Sequence, residues 1–145
     1  MAETPGTGLI PVCDDIDTAG FFEAARQHRL VVRTCGRCQA SIHMPVAHCA
    51  RCGSWEGYWR DVPGRGRLHS WTVVEHQVHP AYPVPYTIVL VDLEGADGVR
   101  LVGRLAGAPP LFDGQAMQVQ FDSLGDDVVL PNWRPAETAD SHSST

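Results

Sequence analysis

Lysine is absent from this 145-residue chain, and all eleven of its fixed side-chain cations are arginine. Selection for planar, bidentate anion contacts and a GC-rich genome both produce that bias. Basic charge is scarce overall: the net charge is −6, which argues against a general nucleic-acid binder. No apolar run approaches the roughly 18 residues of a membrane helix, so a soluble protein is expected. Met1-Ala2-Glu3-Thr4-Pro5 has neither the basic nor the apolar region of an export signal, which makes the reducing cytoplasm the expected compartment. The common catalytic signatures are missing too: GxSxG, HExxH, a P-loop and GxGxxG. Glu75-His76 and His79 are close enough in sequence for an acid/base pair, but their Pro-rich surroundings read as a surface loop. Asp126-Asp127 read as a solvated turn.

Cysteine is where the sequence is specific. Cys35-Gly36-Arg37-Cys38 and Cys49-Ala50-Arg51-Cys52 are separated by ten residues. Two such turns facing each other present four thiolates tetrahedrally, which suits Zn²⁺. Disulfides or a redox dithiol are the alternatives, and a reducing compartment disfavours lasting disulfides. One structural Zn²⁺ per chain is therefore expected on Cys35, Cys38, Cys49 and Cys52. A closed shell of four cysteines leaves the metal no open position for chemistry. His43 and His48 lie inside the ribbon loop and could substitute as ligands, but the four cysteines already suffice, and Cys13 is a bystander.

The pattern divides the chain into an irregular leader and short helix (1–29), a zinc ribbon (30–62), a β-barrel (63–135) and a disordered polar tail (136–145). Asp17 or Thr18 is expected to cap the helix, which runs to about His28. Leu30 to Thr34 reads as a strand into the ribbon. Five further strands are expected at Arg67–Val74, Tyr86–Leu93, Val99–Leu105, Met117–Phe121 and Val128–Trp133, separated by Gly- and Pro-rich turns. Five short strands in about 70 residues suit a small barrel of the OB type, because closure removes exposed edges. The fold class expected is mainly β: a short helix, a four-cysteine zinc ribbon and a five-stranded OB-fold barrel. Residues 29–67 carry seven of the arginines and only Glu56 and Asp61 as acids, a +5 module on a −11 remainder.

In this order, several pieces resemble the small OB-fold proteins with an N-terminal rubredoxin-like zinc ribbon that accompany acyl-CoA enzymes. They are Phe21-Phe22-Glu23-Ala24, the strand into Cys35-x-x-Cys38, Cys49-x-x-Cys52-Gly53-Ser54, Gly64-Arg65-Gly66, Ser70 to Val74, Pro85-Tyr86 and Phe112-Asp113-Gly114-Gln115. The resemblance covers about residues 18–134. Met44-Pro45-Val46 stands where the family has a Pro-Pro-Arg run, so that arginine's contact is not carried over.

The resemblance implies a non-catalytic accessory subunit of a thiolase-superfamily enzyme, a thiolase or retro-aldolase of the sterol-carrier type, with steroid side-chain degradation as one setting. An enoyl-CoA hydratase is a further partner it implies. The small subunit would stabilise the partner and help form the acyl-CoA channel. Arg65, Arg67 and Arg104 are then candidate CoA-phosphate contacts, and Phe21, Phe22, Trp55 and Trp59 candidate interface anchors. Two other classes stand beside this one: a nucleic-acid-binding OB/ribbon module, and a stand-alone acyl-CoA hydratase or thioesterase.

Overall fold

A computed structural model describes residues 8–125 and 127–137; residues 1–7 of the expected leader, Asp126 and residues 138–145 of the expected tail lie outside the described residues. One helix, α1 (Ala19–Arg26), precedes eight strands: β1 (Val31–Cys35), β2 (Ser41–Ile42), β3 (Gly57–Asp61), β4 (Arg65–Val74), β5 (Tyr86–Leu93), β6 (Arg100–Ala106), β7 (Ala116–Gly125) and β8 (Val128–Pro135). No helix described is long and apolar enough to cross a membrane.

The helix is shorter than its sequence suggests. Thr18 is its N-cap residue, one of the two expected, but its side chain makes no capping bond. Asp15 organises the entry instead: its carboxylate accepts the N–H groups of Asp17 and Thr18 at 2.8 and 2.9 Å and the Thr18 hydroxyl at 2.9 Å. The Thr18 bonds, first its hydroxyl's and then its N–H's, lower the Asp15 pKa. Asp17 instead accepts the Ala47 N–H at 2.7 Å, tying the helix entry to the ribbon loop. The helix ends at Gln27, and His28 turns the chain with a φ of 56°.

β1 is the middle strand of the small antiparallel sheet β2-β1-β3. The larger sheet has the order β6-β5-β4-β7-β8, also antiparallel. Gly66 is the crossing point of that sheet, since β4 pairs there with both Leu93 and Met117. A Cβ on Gly66 would overlap the Asp92 carbonyl oxygen. One core serves both sheets: Leu30 and Val32 pack with Leu68, Val89, Val91, Leu101, Leu105, Met117 and Trp133. Arg60 on β3 adds a polar tie, donating to the Gly95 carbonyl at 2.7 Å and to Ser41 Oγ at 3.3 Å.

The expected closed barrel is not formed. Strands occupy all five expected places, but no backbone ladder joins β6 to β8 and the sheet is open between them. The reason lies in the residues at that seam. Pro131 has no N–H to donate, and Gly103 leaves space that the Trp133 indole enters. The Arg104 N–H is accepted by the Asn132 side chain, Oδ1 at 2.9 Å, and not by a strand carbonyl.

Candidate functional site

The two CxxC turns are built by backbone hydrogen bonds. Cys35 N–H donates to the Ala40 carbonyl and Gly36 N–H to that of Glu56, both at 2.9 Å. In the second turn Cys49 N–H donates to the Ser54 carbonyl and Gly53 N–H to that of Cys49, again at 2.9 Å, with Gly53 at a φ of 78° that suits glycine. These turns bring Cys35, Cys38, Cys49 and Cys52 together, with all four Sγ atoms within 4.8 Å of one another. Cys35 and Cys52 are 3.6 Å apart, and Cys38 and Cys49 3.8 Å. A tetrahedron with Zn–S bonds of about 2.3 Å has edges of about 3.8 Å. The cluster is therefore geometrically suited to hold a metal ion and consistent with a structural zinc site. His43 and His48 are not part of it; His48 lies against Trp55, with ring centroids 4.9 Å apart.

The N–H groups of Cys38 and Arg37 point at Cys35 Sγ, at 3.5 and 3.4 Å; together with the Cys52 and Cys38 thiols they outweigh burial and lower its pKa to about 6. Cys52 moves the other way: the Ser54 N–H favours its thiolate, but burial and the neighbouring thiols push it up to about 11. Ligation requires the remaining protons to leave, so the metal and not the protein alone sets the charge state of the site. Cys13 is not part of this cluster; it donates to the Pro11 carbonyl at 3.3 Å, and its pKa is raised by burial and then by Asp14 and Asp15.

A second feature lies beside the open seam. A groove of about 540 Å³ runs between α1, the 43–45 ribbon loop, the outer faces of β5 and β6, and β8. Phe21, Phe22, Ile88, Leu101 and Leu130 line it, and Arg104 provides its fixed charge. Ile88 stands directly opposite Arg104 across the β5–β6 pair. Tyr82, fixed by the Leu9 N–H at 3.0 Å from its hydroxyl, and Tyr86 complete one wall. His43 also reaches the groove; its side chain keeps contact with solvent, yet the protein around it removes enough water to lower its pKa.

The structure separates the expected site residues into distinct places. Arg104 faces this groove, while Arg65 and Arg67 lie on another surface beside Asp92 and Glu94. Arg65 is engaged there in an ion pair with Glu94 at 3.3 Å. Phe21 and Phe22 meet edge to face at 5.4 Å in the groove wall, and Phe21 also packs on the core. Trp55 stands 70 % exposed on the ribbon. Trp59 lies against Gly20 of the helix, with the Arg33 guanidinium 5.7 Å from its ring. Glu75 and His76 are exposed, and His79 accepts the Ala81 N–H, so the suggested acid/base pair is not assembled among the described residues.

Sequence reasoning missed the groove, because its walls come from five separated segments. It also missed the exposed apolar residues Leu9, Ile10, Val12, Ile16, Met44 and Val102. Met44 and Val102 lie on the groove itself, beside Phe21, Phe22 and Arg104, which the sequence had singled out separately without showing that they meet.

Comparison with known proteins agrees with this geometry. Residues 22–56 match the rubredoxin-like zinc ribbon domain of ChsH2, and residues 59–122 match the ChsH2 C-terminal OB-fold domain. The chain is 39% identical over 122 residues to a probable enoyl-CoA hydratase alpha subunit of Thermomonospora curvata. It is 32% identical over 132 residues to the 3-oxo-4,17-pregnadiene-20-carboxyl-CoA hydratase alpha subunit of Mycobacterium tuberculosis. Each alignment covers 83% of this chain but only 38% of the relative, so the chain spans well under half the length of these curated proteins. Among solved structures, a chain of the Ltp2-ChsH2(DUF35) aldolase superposes with a TM-score of 0.77 at 34% identity, covering 86% of this chain and 98% of that one. A DUF35 protein of unknown function from Sulfolobus solfataricus shares the fold, with a TM-score of 0.52 at 14% identity over 76% of this chain and 80% of that one. The chain belongs to the ChsH2/DUF35 family, whose zinc ribbon and OB-fold domain are linked to acyl-CoA enzymes.

Proposed function

We propose that this protein is a non-catalytic accessory subunit of a thiolase-superfamily acyl-CoA enzyme, a thiolase or retro-aldolase. It stabilises that partner and contributes one wall of the acyl-CoA channel. The observation that carries the reading is the apolar groove, which includes exposed Met44 and Val102 and lies between two modules that share one core. Exposed Met44 and Val102 extend the apolar lining of the groove to its surface, and an exposed apolar patch of this kind marks an interaction site. Phe21 and Phe22 serve as the aromatic anchors of the same surface. Similarity to a chain of the Ltp2-ChsH2(DUF35) aldolase supports a partner of this kind. A metal on the four cysteines would hold the ribbon loop whose residues 43–45 form part of the groove wall, and a reducing cytoplasm would keep the thiols free to bind it. The partner supplies the reacting groups. Trp55 is a further anchor on the ribbon, while Arg65 and Arg67 are available to CoA phosphates only where the channel extends over their surface.

A second reading rests on the two hydratase alpha subunits. In it, the same groove works beside a hydratase domain on another chain. A tagged pull-down at moderate salt, with mass spectrometry and a zinc assay on the eluate, separates the two. Stoichiometric recovery of a thiolase-fold protein, with zinc near one per chain, is expected. Recovery of a hydratase moves the assignment to the second reading. Nucleic acid, or the chain alone with its zinc, overturns both.

A further inference from the structure

Arg104 carries a charge for which the groove offers no counter-ion. None of the residues lining the groove is an aspartate or glutamate. Among the described residues, Arg104 forms no ion pair, and its backbone N–H, not its guanidinium, makes the bond to Asn132. Arg26, Arg29, Arg65, Arg100 and Arg134 each pair with a carboxylate; of the remaining arginines, Arg104 is the one that lines this groove. The guanidinium of Arg104 lies over two rings instead, 5.2 Å from the centroid of Tyr82 and 5.8 Å from that of Tyr86. Those rings orient it by cation–π attraction but fill none of its hydrogen-bonding capacity. The two tyrosines are themselves in contact, 6.4 Å apart, and His79 extends the row at 5.7 Å from Tyr82. A planar, oriented donor at the edge of an apolar groove is built for one oxyanion attached to a hydrocarbon body.

We propose that the groove binds an apolar carboxylate. The hydrocarbon lies along Phe21, Phe22, Ile88, Leu101 and Leu130, and the carboxylate pairs with Arg104 above the tyrosine rings. A volume of about 540 Å³ falls within the roughly 300–1,000 Å³ usual for small-molecule sites. One guanidinium balances one negative charge, which favours a carboxylate over the dianion of a phosphate monoester. The site is complete within this chain, so the inference does not rest on the accessory-subunit reading and survives if that reading fails.

The test is a titration of the zinc-loaded full chain with decanoate, decanol and decyl phosphate, following the ring resonances of Tyr82 and Tyr86 by NMR. Decanoate is expected to shift both rings and to bind about tenfold or more tightly than decanol, the size of one charge-assisted contact. Arg104→Gln should reduce that ratio to near one while decanol binding stays unchanged, and Arg104→Lys should restore part of it. Equal binding of decanoate and decanol by the natural chain overturns the proposal, as does binding of neither. Tighter binding of decyl phosphate also overturns it, by assigning Arg104 to a phosphate.

Discussion

At the scale of single residues, the four metal-site cysteines and Gly66 carry the most consequence. Four thiols this close cannot all ionise without a cation among them. A metal ion therefore drives thiol pKa values far below their unfolded value of about 8.5. The sign follows: the contribution of the metal is present at neutral pH and is lost as acid reprotonates the ligands. Acid titration should release zinc together with ribbon structure. Cys35→Ser should remove most of a metal-binding free energy of about 10–16 kcal/mol that is largely folding energy. Zinc content and far-ultraviolet circular dichroism check it; full zinc loading in that variant would contradict the assignment. All four ligands were legible in the sequence, because CxxC spacing states a local turn and its ligands together. The cap position at Thr18 was legible too, but the roles of Asp15 and Asp17 were not, because sequence does not state which carboxylate turns onto the helix entry and which crosses to the Ala47 N–H.

The elements show a similar division. Strand positions were readable because period-2 apolar runs and Gly/Pro turns are local signals. Closure was not, because it depends on how two strands far apart in sequence, β6 and β8, meet. Pro131, Gly103 and Trp133 each have an ordinary reading within their own strands, and only their juxtaposition opens the seam. Asn132 spans it, accepting from the Arg104 N–H and donating to Asp122 Oδ2 at 2.8 Å. Asn132→Ala removes both bonds and leaves the Arg104 N–H without its acceptor, so it should cost about 1–3 kcal/mol. Urea unfolding of the zinc-loaded protein measures this, and an unchanged midpoint would contradict the role given to Asn132. The same variant should widen the end of the groove without disturbing the cysteine cluster.

At the scale of the whole molecule, ribbon and OB-fold sheet act as one body. Leu30 and Val32 lie in the core of the larger sheet, and Arg60 ties β3 to the β5–β6 turn. This union places the 43–45 loop over the outer face of β5 and β6 and so creates the groove. The family was legible from ordered motifs, but the groove was not, because no motif records which surfaces two modules turn toward each other. Charge is divided in the same way, with a basic segment at residues 29–67 on an acidic remainder, and a partner surface of complementary charge would be steered to it.

The most direct test is reconstitution: acyl-CoA turnover by the co-purifying thiolase-fold enzyme alone, by this chain alone, and by the two together. The accessory-subunit account predicts no turnover by this chain and a large gain for the partner when the two are mixed, lost with the zinc-free Cys35→Ser variant. Turnover by the chain alone, or a partner indifferent to its presence, would contradict it.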